Sequence, residues 1–141
     1  MTVKPENTKK YIIDASVAVK WFSIEAGTKK AREVLSQAYE GEAELYAPDI
    51  LVYEVANALW KGEKYPKEDI QDALETIYNS PMQLLAPDKL LAFSSIKFMA
   101  NYNLTFYDAV YAGLANVLRI PLLTANPKDH ARVKEIEQIQ L

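Results

Sequence analysis

The sequence predicts a three-layer α/β/α sandwich around a mostly parallel central sheet, and three observations carry that reading. Short apolar strands alternate with helical stretches along the chain. Every strand-to-strand connection is long enough for a crossover. At 141 residues, half of them hydrophobic and a quarter charged, the chain suits one globular domain with a sizeable core.

The elements follow in order. Residues 1–10 are polar, lack a signal-peptide core, and read as a flexible tail before a single domain over 11–141. No apolar run approaches the ~20 residues of a membrane span, so no membrane partner and a cytoplasmic location are expected. Tyr11-Ile12-Ile13 is a β-branched and aromatic run that stops at Asp14, a buried strand feeding a helix from Ala15–Ser16. Ala31, Val34, Leu35 and Ala38 recur at helical spacing between Thr28, a candidate N-cap, and Tyr39, and Gly41 ends that helix. Glu44-Leu45-Tyr46 reads as a second strand closed by Pro48, with an apolar helix from Ile50 to about Lys61 after it. Pro66 opens a helix through Tyr78. Met82–Leu85 is a third strand, a helix from Pro87 or Asp88 runs to Tyr102, and Thr105 caps a helix over Phe106–Leu118. Pro121–Thr124 is a fourth strand, Pro127–Val133 a short helix, and Ile136–Leu141 an edge strand.

Scarcity narrows the chemistry. The absence of Cys removes disulfides, thiolate nucleophiles and Cys-based metal sites. The single His, His130, cannot supply a multi-His centre. The four glycines, at 27, 41, 62 and 113, form neither GxGxxG nor GxxxxGK[ST], so no phosphate-cradling loop is present. A net charge of −3 gives no global field that draws the chain onto nucleic acid, so a polyanion would have to be met locally. Carboxylates remain as the abundant catalytic groups.

Three acids stand in apolar surroundings. Asp14 closes a strand apolar on both faces, where it reads either as an N-cap or as a site residue beyond the strand's carboxyl end. Glu54 lies within Ile-Leu-Val-Tyr-Glu-Val-Ala-Asn-Ala-Leu-Trp, where a carboxylate is costly unless paired, protonated or bound to a cation. The alternative is a narrow polar stripe of Glu54, Asn57 and Lys61. Asp108 follows Thr105 by three residues, as in a capping box, yet its helix is apolar around most of its circumference. Carboxylates brought together raise one another's pKa, a cost that a hard divalent cation relieves, and such clusters suit phosphodiester hydrolysis by metal-activated water.

Together these segments resemble the PIN-domain family, and most closely its VapC-type toxins of toxin–antitoxin pairs. The likeness rests on residues 11–22 (Tyr-Ile-Ile-Asp-Ala-Ser-Val-Ala-Val-Lys-Trp-Phe) and 47–60 (Ala-Pro-Asp-Ile-Leu-Val-Tyr-Glu-Val-Ala-Asn-Ala-Leu-Trp). It continues in 104–115 (Leu-Thr-Phe-Tyr-Asp-Ala-Val-Tyr-Ala-Gly-Leu-Ala) and 120–126 (Ile-Pro-Leu-Leu-Thr-Ala-Asn). The resemblance implies a Mg²⁺- or Mn²⁺-dependent ribonuclease, an RNA substrate, a homodimer and a cognate VapB-type antitoxin. It assigns the metal to Asp14, Glu54 and Asp108 and places supporting hydroxyls at Ser16 and Thr124. The family's usual fourth acid falls on Asn126, which keeps an oxygen ligand and loses the charge; Asp129 is a candidate substitute.

Lys9, Lys10 and Lys20 are candidate backbone contacts for RNA, set against a reading as solvated lysines. Tyr107, Trp21 and Trp60 are candidate stacking residues, set against core or dimer packing. His130 in Pro-Lys-Asp-His reads as a surface turn residue rather than a triad partner of Ser16 or Ser94, since no G-x-S-x-G context exists. The competing functional readings are a PIN-fold RNA- or protein-binding module weakened by Asn126, and a receiver-like domain. The latter lacks the required acid pair after strand one.

Overall fold

The computed structural model describes residues 8–126, 130 and 132–141. Its strands are β1 (Lys9–Ile13), β2 (Ala43–Pro48), β3 (Gln83–Leu85), β4 (Leu122–Thr124) and β5 (Gln138–Gln140). The helices are α1 (Ala15–Val19), α2 (Thr28–Tyr39), α3 (Ile50–Asn57), α4 (Lys67–Asn79), α5 (Lys89–Tyr102) and α6 (Phe106–Leu118). The strands pair in the order β3-β2-β1-β4-β5, every pair parallel. β1 therefore sits at the centre, as its apolar run requires.

Strand alternation builds the three layers. Ile12 and Leu122 face Leu91, Val110, Tyr111 and Leu114 of α5 and α6. Their neighbours Ile13 and Leu123 face the opposite way, into a core with Val17, Ala31, Leu51, Val55, Leu59 and Ile77 from the other helices. Successive side chains point to opposite faces of a strand, so a strand covered by helices on both sides is apolar throughout.

α5 and α6 pack closely at Gly113. A Cβ on Gly113 would stand 3.0 Å from the Cα of Ser95, whose own hydroxyl turns inward to the Leu91 carbonyl at 2.7 Å. Only a glycine leaves room for that crossing. α3 continues into a π-helical turn over Ala58–Gly62, closed by a Glu63 N–H to Ala58 carbonyl bond of 3.0 Å.

Two local expectations change. β1 begins at Lys9, because Lys9 and Lys10 pair by backbone with Ala43 and Glu44 whatever their side chains. Gly27, at φ 87°, holds the N-cap position of α2 in place of Thr28. The Thr28 hydroxyl instead donates to the Ser23 carbonyl at 2.8 Å and accepts from the Glu25 N–H at 3.0 Å. The short helix expected over Pro127–Val133 lies largely outside the described residues, as does Asp129.

Candidate metal centre

The site forms at the carboxyl end of the central strands. β1 ends on Ile13, and Asp14 follows with extended backbone, its N–H bonded to the Leu123 carbonyl of β4 at 3.0 Å. Asp14 occupies the N-cap position of α1, but its carboxylate makes no capping bond. It turns instead into a buried collar of donors. Ser16 donates to Oδ2 at 2.5 Å and Thr124 donates to the same oxygen at 3.0 Å. The collar is itself fixed, since the Ala125 N–H donates to Ser16 Oγ at 3.0 Å and the Asn126 N–H to Thr124 Oγ1 at 3.1 Å.

The other oxygen of Asp14 faces His130, whose Nε2 lies 3.4 Å from Oδ1. This corrects the reading of His130 as a surface turn residue: it is 1% exposed. Gln138 of β5 donates its side-chain amide to the carbonyls of His130 and Val133, at 2.6 and 2.9 Å, and so ties these two residues to the sheet. The burial of Asp14 alone would raise its pKa. The hydrogen bond and charge interaction with His130, then the Ser16 and Thr124 hydroxyls, outweigh that and hold it below the usual carboxylate value.

Glu54 and Asp108 come from helices. Glu54 is half-buried on α3, and Tyr111 of α6 donates its hydroxyl to Glu54 Oε1 at 2.7 Å. Burial raises the Glu54 pKa, the Tyr111 bond opposes it, and the nearby charges of Asp14 and Asp108 add to the rise. Asp108 is half-buried in the first turn of α6, where its backbone N–H is capped by the Thr105 hydroxyl at 3.2 Å. The capping expectation therefore holds for its backbone. Asn57 and Lys61, the alternative polar stripe, are exposed.

The structure thus brings Asp14 into direct contact with Ser16, Thr124 and His130, and brings Glu54 within the field of both other acids. It does not gather the three carboxylates into one coordination sphere. Among the described residues no three His, Asp or Glu side chains stand as a ready metal cluster. The donor set nonetheless suits a hard cation: all three carboxylates offer oxygen, and Glu54 bears a repulsive burden that a cation would relieve. Asn126 is half-buried just past β4, beside this collar.

Other candidates resolve plainly. Trp21 is a core residue, its indole N–H donating to the Ala31 carbonyl at 2.9 Å. Lys20 is tied to Glu25 and the Ala26 carbonyl, each at 2.7 Å. Lys10 lies 3.7 Å from Glu44. Tyr107 and Trp60 are exposed, at 63% and 55%. Ser94 lies against the Gly113 carbonyl and Asn116, which leaves it no triad role with His130.

Two residues at the site had no role in the sequence reading. Tyr111 was one apolar member of its helix, although it follows Asp108 by three residues and so shares its face. For His130 the available signal was its helical spacing to Val133, which is equally buried at 1%.

Comparison with known proteins agrees with this architecture. The chain is 29% identical over 119 residues to Ribonuclease VapC3 of Pyrobaculum aerophilum, covering 82% of this chain and 88% of that protein. Its fold is similar to VapBC2 from Rickettsia felis bound to a DNA fragment from its promoter, with TM-score 0.71 and 17% identity over 94% of this chain and 98% of that one. It is likewise similar to VapC20 of Mycobacterium tuberculosis, a Sarcin-Ricin loop cleaving toxin, with TM-score 0.72 and 9% identity over 93% and 99% of the two chains. The model of the PIN domain matches residues 11–136, from β1 to the turn before β5, and the chain belongs to the PIN-domain family.

Proposed function

We propose that this PIN-domain protein is a metal-dependent endoribonuclease that hydrolyses RNA phosphodiester bonds, and that it is the toxin of a VapBC-type toxin–antitoxin pair. The observation that carries the reading is a buried Asp14 carboxylate held by Ser16, Thr124 and His130 just past the central strand, with Glu54 held by Tyr111. Asp14 stands at the carboxyl end of β1 in a parallel sheet, where sites of this fold class form, and Glu54 is half-buried and held there by Tyr111. The relatives named above supply the substrate class and the partner, RNA and a VapB-type antitoxin.

In this reading Asp14, Glu54 and Asp108 hold Mg²⁺ or Mn²⁺, with the Asn126 side chain as a neutral oxygen ligand. Such an ion, when bound, would supply a water of lowered pKa and offset charge on the phosphate. Asp14 is already ionised and held by its hydroxyl collar, so it anchors the site. Glu54 and Asp108 would complete the ligand set from half-buried helix positions. The exposure of Tyr107 next to Asp108 supports a role for it in stacking on a base. Leu90, Phe93 and Ile96 expose an apolar strip of α5, which supports a homodimer. The protein acts in the cytoplasm, where its RNA substrate is.

A second reading, a PIN-fold binding module, is favoured by one residue: Asn126 removes a charge from the metal site. RNA hydrolysis with Mg²⁺ or Mn²⁺ separates the two. The nuclease reading expects cleavage that chelation and Asp14→Asn both abolish. Binding of RNA or an antitoxin without cleavage under either metal would replace it with the module.

A further inference from the structure

We infer that Tyr111 and His130 form a positioning pair that presets Glu54 and Asp14 for the same cation. This rests on the metal-dependent reading above and goes beyond its ligands to what holds them. Tyr111 is 1% exposed, and its hydroxyl contacts Glu54 Oε1 at 2.7 Å. The Tyr111 hydroxyl thus reaches from α6 to the carboxylate on α3. A tyrosine hydroxyl carries one proton to donate, and a carboxylate oxygen only accepts. The O–H therefore donates to Glu54 and fixes one of its oxygens, leaving Oε2 directed by that bond.

His130 does the matching task for Asp14. Its Nε2 lies 3.4 Å from Oδ1, while Ser16 and Thr124 hold Oδ2, so the carboxylate is gripped from both sides. The two positioning side chains touch each other. The rings of Tyr111 and His130 are 5.8 Å apart, centroid to centroid, tilted by 54°. Each ring thus limits the orientation of the other, and a change at one is felt at both acids. α6 contributes twice to the site: Asp108 as a ligand and Tyr111, one turn on, as the holder of a second ligand. Partners of this kind around a metal site contribute about 10- to 100-fold to metal affinity.

The test is Mn²⁺ titration of the full chain, read by the electron paramagnetic resonance signal of the free ion, for the parent, Tyr111→Phe, His130→Leu, His130→Gln and Asp14→Asn. Tyr111→Phe removes one oxygen and keeps the ring, so a folded variant is expected. It should bind Mn²⁺ about tenfold more weakly. His130→Leu should lose a similar factor, and His130→Gln, which keeps a side-chain donor, should recover most of it. The RNA KM should stay near the parent value in Tyr111→Phe while the Mn²⁺ requirement for cleavage rises. Parent-like Mn²⁺ affinity in Tyr111→Phe and His130→Leu, with binding still lost in Asp14→Asn, overturns the positioning pair and leaves the metal site standing. Absence of Asp14-dependent Mn²⁺ binding in the parent overturns both.

Discussion

The two halves of the candidate site are built on opposite principles. The strand half, around Asp14, is buried and crowded with donors: two hydroxyls on one oxygen and His130 on the other. The helix half, Glu54 and Asp108, is half-exposed, and its one direct hydrogen bond to a carboxylate among the described residues is that of Tyr111 to Glu54. Asp14 is held below its ordinary pKa and Glu54 above it, although both are buried to a degree that penalises charge. The difference shows what donors do that burial alone does not: they make a carboxylate an anchor that is ionised without any cation. Glu54 is the residue whose charge a cation would stabilise.

The largest expected effect follows from removing the anchor. Asp14→Asn should cut RNA cleavage by more than the ~100-fold typical of losing an outer partner of a metal site, measured on one RNA at saturating Mn²⁺. Activity retained in that variant would break the comparison outright. Adding a charge tests the same site from the other side. Asn126→Asp should tighten Mn²⁺ binding by about tenfold, since ligand charge tunes the affinity of oxygen sites for hard cations, and metal titration reads it directly.

The collar is tested by Thr124→Val, which keeps the shape and deletes the hydroxyl. Asp14 Oδ2 and the Asn126 N–H both lose a partner, and metal-free stability should fall by about 1–3 kcal/mol in denaturant unfolding. The smallest effect is also the sharpest contrast. With its folded pKa depressed, Asp14 contributes stability that is present above the ordinary carboxylate pKa and is lost as pH falls through the folded value. With its folded pKa raised, Glu54 contributes stability below the ordinary value that is lost as pH rises through the folded one. At pH 7, without metal, Asp14→Asn should therefore lower the melting temperature and Glu54→Gln should raise it slightly. Shifts of the same sign would show that the two halves do not differ in the way described.

Much of this was legible in the sequence because it depends on local pattern. Asp14 is marked by an apolar strand that stops on an acid, and Glu54 by an acid inside an apolar helix. The parallel order followed from long crossovers, and Phe106–Leu118 emerged with the bounds expected of it. What stayed hidden depends on contacts distant in sequence. His130 meets Asp14 across 116 positions, and Tyr111 meets Glu54 across 57. A lone histidine among Pro, Lys and Asp looks solvated until Gln138 and Tyr111 are seen to enclose it. The start of β1 was misplaced for a related reason: Lys9 is held by backbone pairing with Ala43, to which its side chain is irrelevant. Lys20 reads as available for RNA until its ion pair with Glu25 is known.

The central claim, that Asp14, Glu54 and Asp108 close on one hard cation, is tested most directly by a crystal structure soaked in Mn²⁺ with anomalous data at the manganese edge. One strong peak is expected at the carboxyl end of β1, with oxygens of all three acids at about 2.0–2.6 Å from it. A peak elsewhere, or Glu54 and Asp108 left apart while the ion binds other groups, would contradict it.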